Sequence, residues 1–411
     1  MTRAARIGIV GAGPGGTALA LALTDRGVDP RDVVLYDKAR FPRGKLCGGG
    51  VTFRGTQLLD RWIGPLEGGL VTDALEFRSA LGCLPVRERG PQRVYDRGLL
   101  DHALVEACRR RGIEVREECA ISAVEPGSGR WRLVHRGGVE SHRWTIGADG
   151  ANGLCRRASG LPGGLTGRLV EAVYEPVSAS PRSDTLIFDF DPILDGIPGY
   201  AWIFPYVSPD HDGVLYKIGV MDGRGRVPGD VLRRWTDAFA ERCGYRRLDA
   251  RIAGWPERYF DVGVRGARPG LLLVGEALGI DALLGEGIAP ALWISEYAAG
   301  RLRSALDAGV DRVEGYEQGL LWSEEGRNLW FQARLADRLY GPNPRRWLRV
   351  LFGMPHLHAL AAGGQDAYGR LVHHVPWLVA GHAWTVLRHG LPSDGPVPGW
   401  QPTVAERPSM E

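Results

Sequence analysis

The apolar run Arg6 to Val10, broken by Gly11-Ala-Gly13-Pro14-Gly15-Gly16 and followed by the alanine- and leucine-rich stretch Thr17 to Arg26, limits the fold more than any other feature. Short apolar runs bounded by glycine read as buried strands, and Val33 to Tyr36 is a second one. Strand, glycine turn, helix and strand within about 30 residues make the βαβ unit that binds a dinucleotide. Gly11 permits the tight turn, Gly13 lets backbone approach a pyrophosphate, and Gly16 lets the helix pack close on the strand. Pro14 and Gly15 open that helix, whose N-terminus faces the phosphates. Asp37, with Lys38 beside it, closes the second strand, where a carboxylate accepts hydrogen bonds from the adenosine ribose.

A second nucleotide signal lies far away. Leu271 to Val274 reads as a buried strand running into Gly275-Glu276-Ala277-Leu278-Gly279, after which Leu284-Gly285-Glu286-Gly287-Ile288 opens another helix. A third stretch, Trp144 to Gly153 with Asp149 and Gly150, ends a strand in the same style. Separated strand-to-helix turns suit a cofactor gripped along its length, which favours FAD over a nicotinamide nucleotide. Backbone N–H groups at Gly285, Gly287 and Ile288 would then meet the flavin end.

Composition narrows the partners. With 411 residues, 44% hydrophobic and 24% charged, the chain can bury a large core. A net charge of +3 comes from nearly balanced acids and bases, without a long basic run, so nucleic acid is not an expected partner. The six cysteines (Cys47, Cys83, Cys108, Cys119, Cys155 and Cys243) lack metal or disulfide spacing, and no secretion signal precedes the first strand. A cytoplasmic setting is expected, or one at a membrane face, with no metal site. Neither His356 and His358 nor His373 and His374 have the spacing and nearby acids of metal ligands.

These segments resemble the group A flavoprotein fold shared by aromatic hydroxylases, flavin-dependent halogenases and geranylgeranyl reductases, and the likeness to geranylgeranyl reductases is the strongest. Its marks are Phe41-Pro42-Arg43-Gly44-Lys45-Leu46-Cys47-Gly48-Gly49-Gly50, then Tyr200-Ala-Trp202-Ile-Phe204-Pro205, then the Gly285-Glu286-Gly287 turn. The resemblance runs from about Arg6 to about Leu306. It implies an α/β protein: a Rossmann-like FAD-binding domain with an inserted antiparallel β-sheet substrate domain and a helical C-terminal region. FAD-binding segments are expected at 1–75, 97–160 and 263–310, and substrate-domain segments at 76–96 and 161–262. A helical region would follow at 311–390 and a loose tail at 391–411. Independently, Arg168 to Val177, Asp184 to Asp191, Gly199 to Val207 and Gly213 to Met221 read as strands, and Pro228 to Cys243 as an amphipathic helix.

The resemblance also assigns roles. Arg43, Gly48, Gly49 and Cys47 would contact FAD, as would Arg97 near the phosphate and ribityl region, where its planar fork suits an anion. A helix-start arginine paired with Asp101 is the alternative, and Asp149 is equally well read as a turn acid. Tyr200 and Trp202 alternate with Phe204 along one strand and project to one side, giving an aromatic wall for a substrate. Cys47, beside three glycines, would face that substrate and donate a proton or shape the pocket. Lys45 is one of three lysines, with Lys38 and Lys217. It reads as a solvated charge or as the partner of a carboxylate.

The expected activity is reduction of carbon-carbon double bonds in a hydrophobic isoprenoid-like substrate by hydride from N5 of reduced flavin, with Cys47 or a water as the acid. The alternative is an FAD-dependent monooxygenase that hydroxylates or epoxidises a specialised metabolite. The electron donor would be NAD(P)H or a ferredoxin-like protein. Three departures from the family pattern stand out: Glu276 in place of an aspartate, a shortened loop with Ala282-Leu283-Leu284 in place of a proline, and Tyr206 in place of a lysine. In the C-terminal part, Trp322, Trp330, Trp347, Trp377 and Trp384 are spread over helical stretches, and Val375 to Leu387 is apolar but too short to span a bilayer. Packing against the FAD domain or a homodimer contact is the preferred reading there. An interfacial helix making peripheral membrane contact stays open.

Overall fold

The computed structural model describes residues 6–177, 182–250 and 252–353, with three isolated positions beyond them at 376, 380 and 383. The first strand is Ile7–Val10, the first helix Pro14–Asp25 and the second strand Val33–Tyr36, each with its apolar residues buried as the pattern requires. Ile7–Val10 lies between Trp144–Gly147 and Val33–Tyr36 and pairs in parallel with both. Leu271–Leu273 adds in parallel to Trp144–Gly147, so the three strands that carry the nucleotide motifs are neighbours and end at the same edge. Glu114–Arg116 and the antiparallel Ala267–Arg268 close this six-stranded sheet.

The helices Pro14–Asp25 and Ile288–Asp307 pack together, and the buried Ser295 hydroxyl donates to the Gly15 carbonyl at 2.7 Å. The helix Ile288–Asp307 is thereby tied to the first glycine turn. A small antiparallel sheet of Ile121–Pro126, Trp131–His135 and Gly138–His142 accompanies the six-stranded sheet.

A nine-stranded, mostly antiparallel sheet forms the second layer. Thr166–Pro176, Val214–Asp222, Ala201–Val207 and Thr185–Asp189 are its centre and match the four strand-like runs. Leu70–Ser79, Gly82–Val94 and Gly50–Val51 extend it on one side, and Ala253–Arg258 pairs with Thr166–Pro176 on the other. Its two faces differ because side chains alternate along each strand. Ile203, Ile218, Val220 and Val170 face the helix Gly229–Arg242, whose Leu232, Trp235 and Phe239 are buried against them. Tyr200, Trp202, Phe204 and Phe188 form a separate cluster with Leu283, Leu284 and Tyr340.

The C-terminal part continues as helices Tyr316–Trp322, Glu324–Leu339 and Pro344–Gly353. Trp322 and Trp330 are exposed, whereas Trp347 packs on the aromatic cluster. Among the described residues no helix is long and apolar enough to cross a membrane, and no group of three metal-ligating side chains occurs. Apart from the three isolated positions, Val375 to Leu387 lies outside the described residues, as do both histidine pairs, Trp377, Trp384 and the tail at 391–411.

Candidate active site

The glycine turn is packed on every side but one. A Cβ on Gly16 would stand 1.9 Å from the Gly11 carbonyl oxygen, one on Gly11 2.4 Å from the Ala148 carbonyl, and one on Gly15 3.3 Å from the Gly275 Cα. At Gly13 the only neighbour within 4 Å would be Nη2 of Arg43, at 3.7 Å. The open side of the turn is therefore the side on which a pyrophosphate belongs. Asp37 stands behind it: its Oδ2 accepts from the Ala12 N–H and its Oδ1 from the Ala39 N–H, both at 2.8 Å. Pro14 is the first residue of the helix and Lys38 is exposed.

Arg43 and Arg97 share one carboxylate. Asp101 is fully buried and receives both Nε and Nη2 of Arg97 at 2.9 Å, and Nη2 of Arg43 at 3.0 Å. Two cations on one acid leave a net positive charge beside Gly13, and Nε of Arg43 is buried without a partner. The Asp101 pairing considered for Arg97 is thus present, and the guanidinium also faces Cys47.

The loop Gly48–Gly50 lies on the aromatic wall. A Cβ on Gly48 would meet the Phe204 ring at 2.8 Å, and Gly49, at φ +78°, would meet the Tyr95 carbonyl at 2.2 Å. Cys47 is held by Glu171, an acid in the middle of Thr166–Pro176: its Oε1 accepts the Cys47 N–H at 3.0 Å and its Oε2 the Trp202 indole N–H at 3.1 Å. Glu171 and the buried Lys217 face the same side of the sheet; Lys217 donates to the Tyr95 carbonyl at 3.3 Å and lies over the Tyr206 ring. Burial pushes the Glu171 carboxyl up, against the pull of Lys217.

The second turn meets the others. Glu276 follows Gly275 with its Oε2 3.9 Å from Nζ of Lys45, and a Cβ on Gly150 would stand 3.6 Å from the same oxygen. Lys45 therefore has the carboxylate partner considered for it. Asp149 accepts the Cys155 N–H at 2.9 Å, as a turn acid does, and its Oδ1 is buried without a partner. Arg156 donates to the carbonyls of Ala277 at 2.7 Å and Leu278 at 3.3 Å, which fixes the second turn from behind.

Asp281, fully buried, accepts the N–H groups of Leu283, Leu284 and Glu286, while the hydroxyls of Tyr200 and Tyr340 donate to the carbonyls of Leu284 and Leu283. The segment that replaces the customary proline is thereby clamped, and Gly285, Gly287 and the buried Ile288 are carried into place at the helix start. Glu257, from Ala253–Arg258, comes close to this turn: a Cβ on Gly285 would be 2.7 Å from its Oε2.

Glu171, Glu257, Asp281 and Arg156 were not singled out from the sequence. For Glu171 a signal existed, since it is an acid flanked by Leu169 and Val173 on one strand face.

The donor set fits FAD: an open phosphate cradle with an adjacent cation, an acid at the ribose position, and a glycine turn at a helix start facing an aromatic wall. No protein-family model matches the chain. Among curated proteins, it is 26% identical over 344 residues to conditioned medium factor receptor 1 of Dictyostelium discoideum, covering 71% of the chain and 62% of that protein. It is 27% identical to the menaquinone reductase of Mycolicibacterium smegmatis, with 85% and 87% covered. The identity to digeranylgeranylglycerophospholipid reductase 1 of Methanopyrus kandleri is also 27%, with 79% and 88% covered. Among solved structures, a geranylgeranyl bacteriochlorophyll reductase-like protein of Thermoplasma acidophilum superposes with TM-score 0.70 at 17% identity, over 90% of this chain and 98% of that one. Halogenase PltM, in complex with phloroglucinol and FAD, superposes with TM-score 0.65 at 13% identity, over 95% and 88%.

Fold, site and relatives define the class, an FAD-dependent oxidoreductase with an inserted sheet domain. Within that class the chain is similar to geranylgeranyl reductases, the likeness that the sequence marks imply.

Proposed function

We propose that the chain reduces carbon-carbon double bonds of a hydrophobic isoprenoid-like substrate. The observation that carries this reading is the aromatic wall. Tyr200, Trp202 and Phe204, with Phe188 edge-on to Phe204, stand on the sheet face against which the Gly48–Gly50 loop rests, and the Tyr200 hydroxyl is bonded beside the Gly285 turn. The polar atoms of Tyr200 and Trp202 are both engaged with protein, so the wall offers the substrate ring surface alone. The relatives named as reductases of digeranylgeranylglycerophospholipid and menaquinone support a greasy substrate.

When bound, FAD supplies hydride from N5. The chain's own residues hold and orient it. Gly11, Gly13, Pro14, Gly15 and Gly16 cradle the pyrophosphate, with Arg43 supplying positive charge and Arg97 supporting it through Asp101. Asp37 would take the adenosine ribose, and Asp149, Gly275 and Glu276 would take the middle of the cofactor. Gly285, Gly287 and Ile288 present N–H groups to its ring. Gly48 and Gly49 let the Cys47 loop lie close, and the aromatic side chains exclude water from the double bond. The electrons would come from an external reductant, NAD(P)H or a ferredoxin-like protein.

Anaerobic photoreduction of the purified yellow protein followed by a geranylgeranyl lipid tests this. The flavin should reoxidise and the product should gain a hydrogen pair by mass. Reoxidation by oxygen alone, with an oxygen atom entering the product, would make the chain a monooxygenase instead.

A further inference from the structure

The charged groups around the Gly285 turn do not balance. Besides Glu286 in the turn itself, the carboxyls Glu257, Glu276 and Asp281 converge there, and Glu276 and Asp281 have partners that offset a negative charge. Glu276 has Lys45 at 3.9 Å and also faces Arg97 and Arg258. Asp281 accepts N–H groups from Leu283 at 2.7 Å, Leu284 at 3.0 Å and Glu286 at 3.4 Å. Glu257 has neither: its Oε2 is buried and makes no hydrogen bond. The groups that face it from the surrounding elements are Glu276, Asp281, Cys47 and Lys45, together with Tyr200 and Tyr259. Only one of these six carries positive charge, and Lys45 is nearer to being spent on Glu276. Carboxylates crowded in a water-poor site cannot all ionise, and the proton settles on the acid with the fewest compensating partners. Burial and the two neighbouring acids accordingly hold the Glu257 carboxyl well above the ordinary range.

Its position gives that proton a use. The carboxyl stands over Gly285, at the turn where the coenzyme ring is held in the function proposed above, and Tyr200 of the substrate wall faces it. We propose that Glu257 is the acid of this site, which gives its proton to the substrate carbon next to the one that receives hydride. This assignment rests on the double-bond reduction proposed above and replaces Cys47 in the role of donor. In the step, the π pair of the double bond forms the new C–H bond with the Glu257 proton as the O–H bond breaks. The hydride comes from the reduced coenzyme, which is oxidised, and the Glu257 carboxylate regains a proton from water. For the next turnover NAD(P)H supplies a hydride equivalent, or a ferredoxin-like protein supplies two electrons with a proton from water.

Two measurements on the FAD-loaded protein test the assignment. Infrared spectra recorded between pH 5 and pH 8 should contain the carbonyl stretch of a protonated carboxyl that persists at the upper end, is absent in Glu257→Gln, and remains in Cys47→Ala. Protonated-carboxyl bands that are identical in Glu257→Gln and the parent overturn the assignment whatever the enzyme reduces. In the second measurement, Glu257→Gln should bind FAD and undergo photoreduction like the parent, yet reoxidise with a geranylgeranyl lipid about 100-fold more slowly. Equal reoxidation rates overturn the donor role. If the parent chain itself transfers nothing to the lipid, the reductase reading fails and the donor role with it, while the infrared band still decides where the proton resides.

Discussion

The carboxylate of Glu171 accepts the backbone N–H of Cys47 at 3.0 Å, so a residue buried in the centre of the nine-stranded sheet fixes a loop that leaves the six-stranded sheet's edge. Its other oxygen holds the Trp202 indole, which orients the aromatic wall and the Cys47 loop together. Glu171→Ala strands the buried Trp202 N–H and the half-buried Cys47 N–H and leaves Lys217 without its facing acid, at a cost of about 3 kcal/mol in urea unfolding. Glu171→Gln keeps one acceptor and should cost about 1 kcal/mol. Equal stability of all three proteins would show that the contact does not organise the site.

Gly13 and Gly16 should separate binding from folding. Gly16→Ala places a methyl 1.9 Å from the Gly11 carbonyl oxygen, which backbone cannot yield, and soluble folded protein should not be recovered. Gly13→Ala meets only Arg43, at 3.7 Å, so the fold should persist. Its methyl intrudes where the pyrophosphate approaches, and FAD retention, read from the flavin-to-protein absorbance ratio, should fall at least about 10-fold. A Gly13→Ala protein as yellow as the parent would place the phosphates elsewhere.

Arg43 and Arg97 share Asp101 but should fail differently. Arg97 is buried and bidentate to that acid, so Arg97→Lys loses fork geometry inside the protein and should lower stability by about 2 kcal/mol. Arg43 is partly exposed beside Gly13, and Arg43→Ala should weaken FAD binding about 10-fold in a fluorescence titration with less effect on unfolding. The reverse ranking in FAD affinity would assign the phosphate contact to Arg97.

How far the sequence carried this reading depends on the range of each interaction. The strand Ile7–Val10, its glycine turn and the helix Pro14–Asp25 are local, and their apolar period and glycine spacing are visible in a short window. Tyr200, Trp202 and Phe204 declare a common face by alternation alone. Ala253–Arg258 shows no such period, because Gly254 and Pro256 interrupt it, yet it pairs with Thr166–Glu171 where the neighbouring strand supplies the context. The acids were hidden for a related reason. Glu257 gives no sign in the sequence that it will be buried against Gly285, and the Lys45 and Glu276 pair exists only once two turns far apart in the chain have met.

That burial predicts an unusual response of stability to pH. The carboxyls of Glu171, Glu257 and Glu276 are all raised in the folded chain, chiefly by loss of water. In the unfolded chain each would release its proton near the ordinary glutamate value of about 4.3. Between that value and the raised one the folded state binds more protons than the unfolded state, so the slope of unfolding free energy against pH is negative. Each such carboxyl removes up to about 1.4 kcal/mol per pH unit over that interval. Comparison with a variant isolates the contribution of one carboxyl. Glu257→Gln, neutral at every pH, should match the parent near pH 4 and become progressively more stable than it toward pH 8, in urea melts with FAD saturating. Parallel curves for the two proteins would mean that Glu257 ionises as readily folded as unfolded.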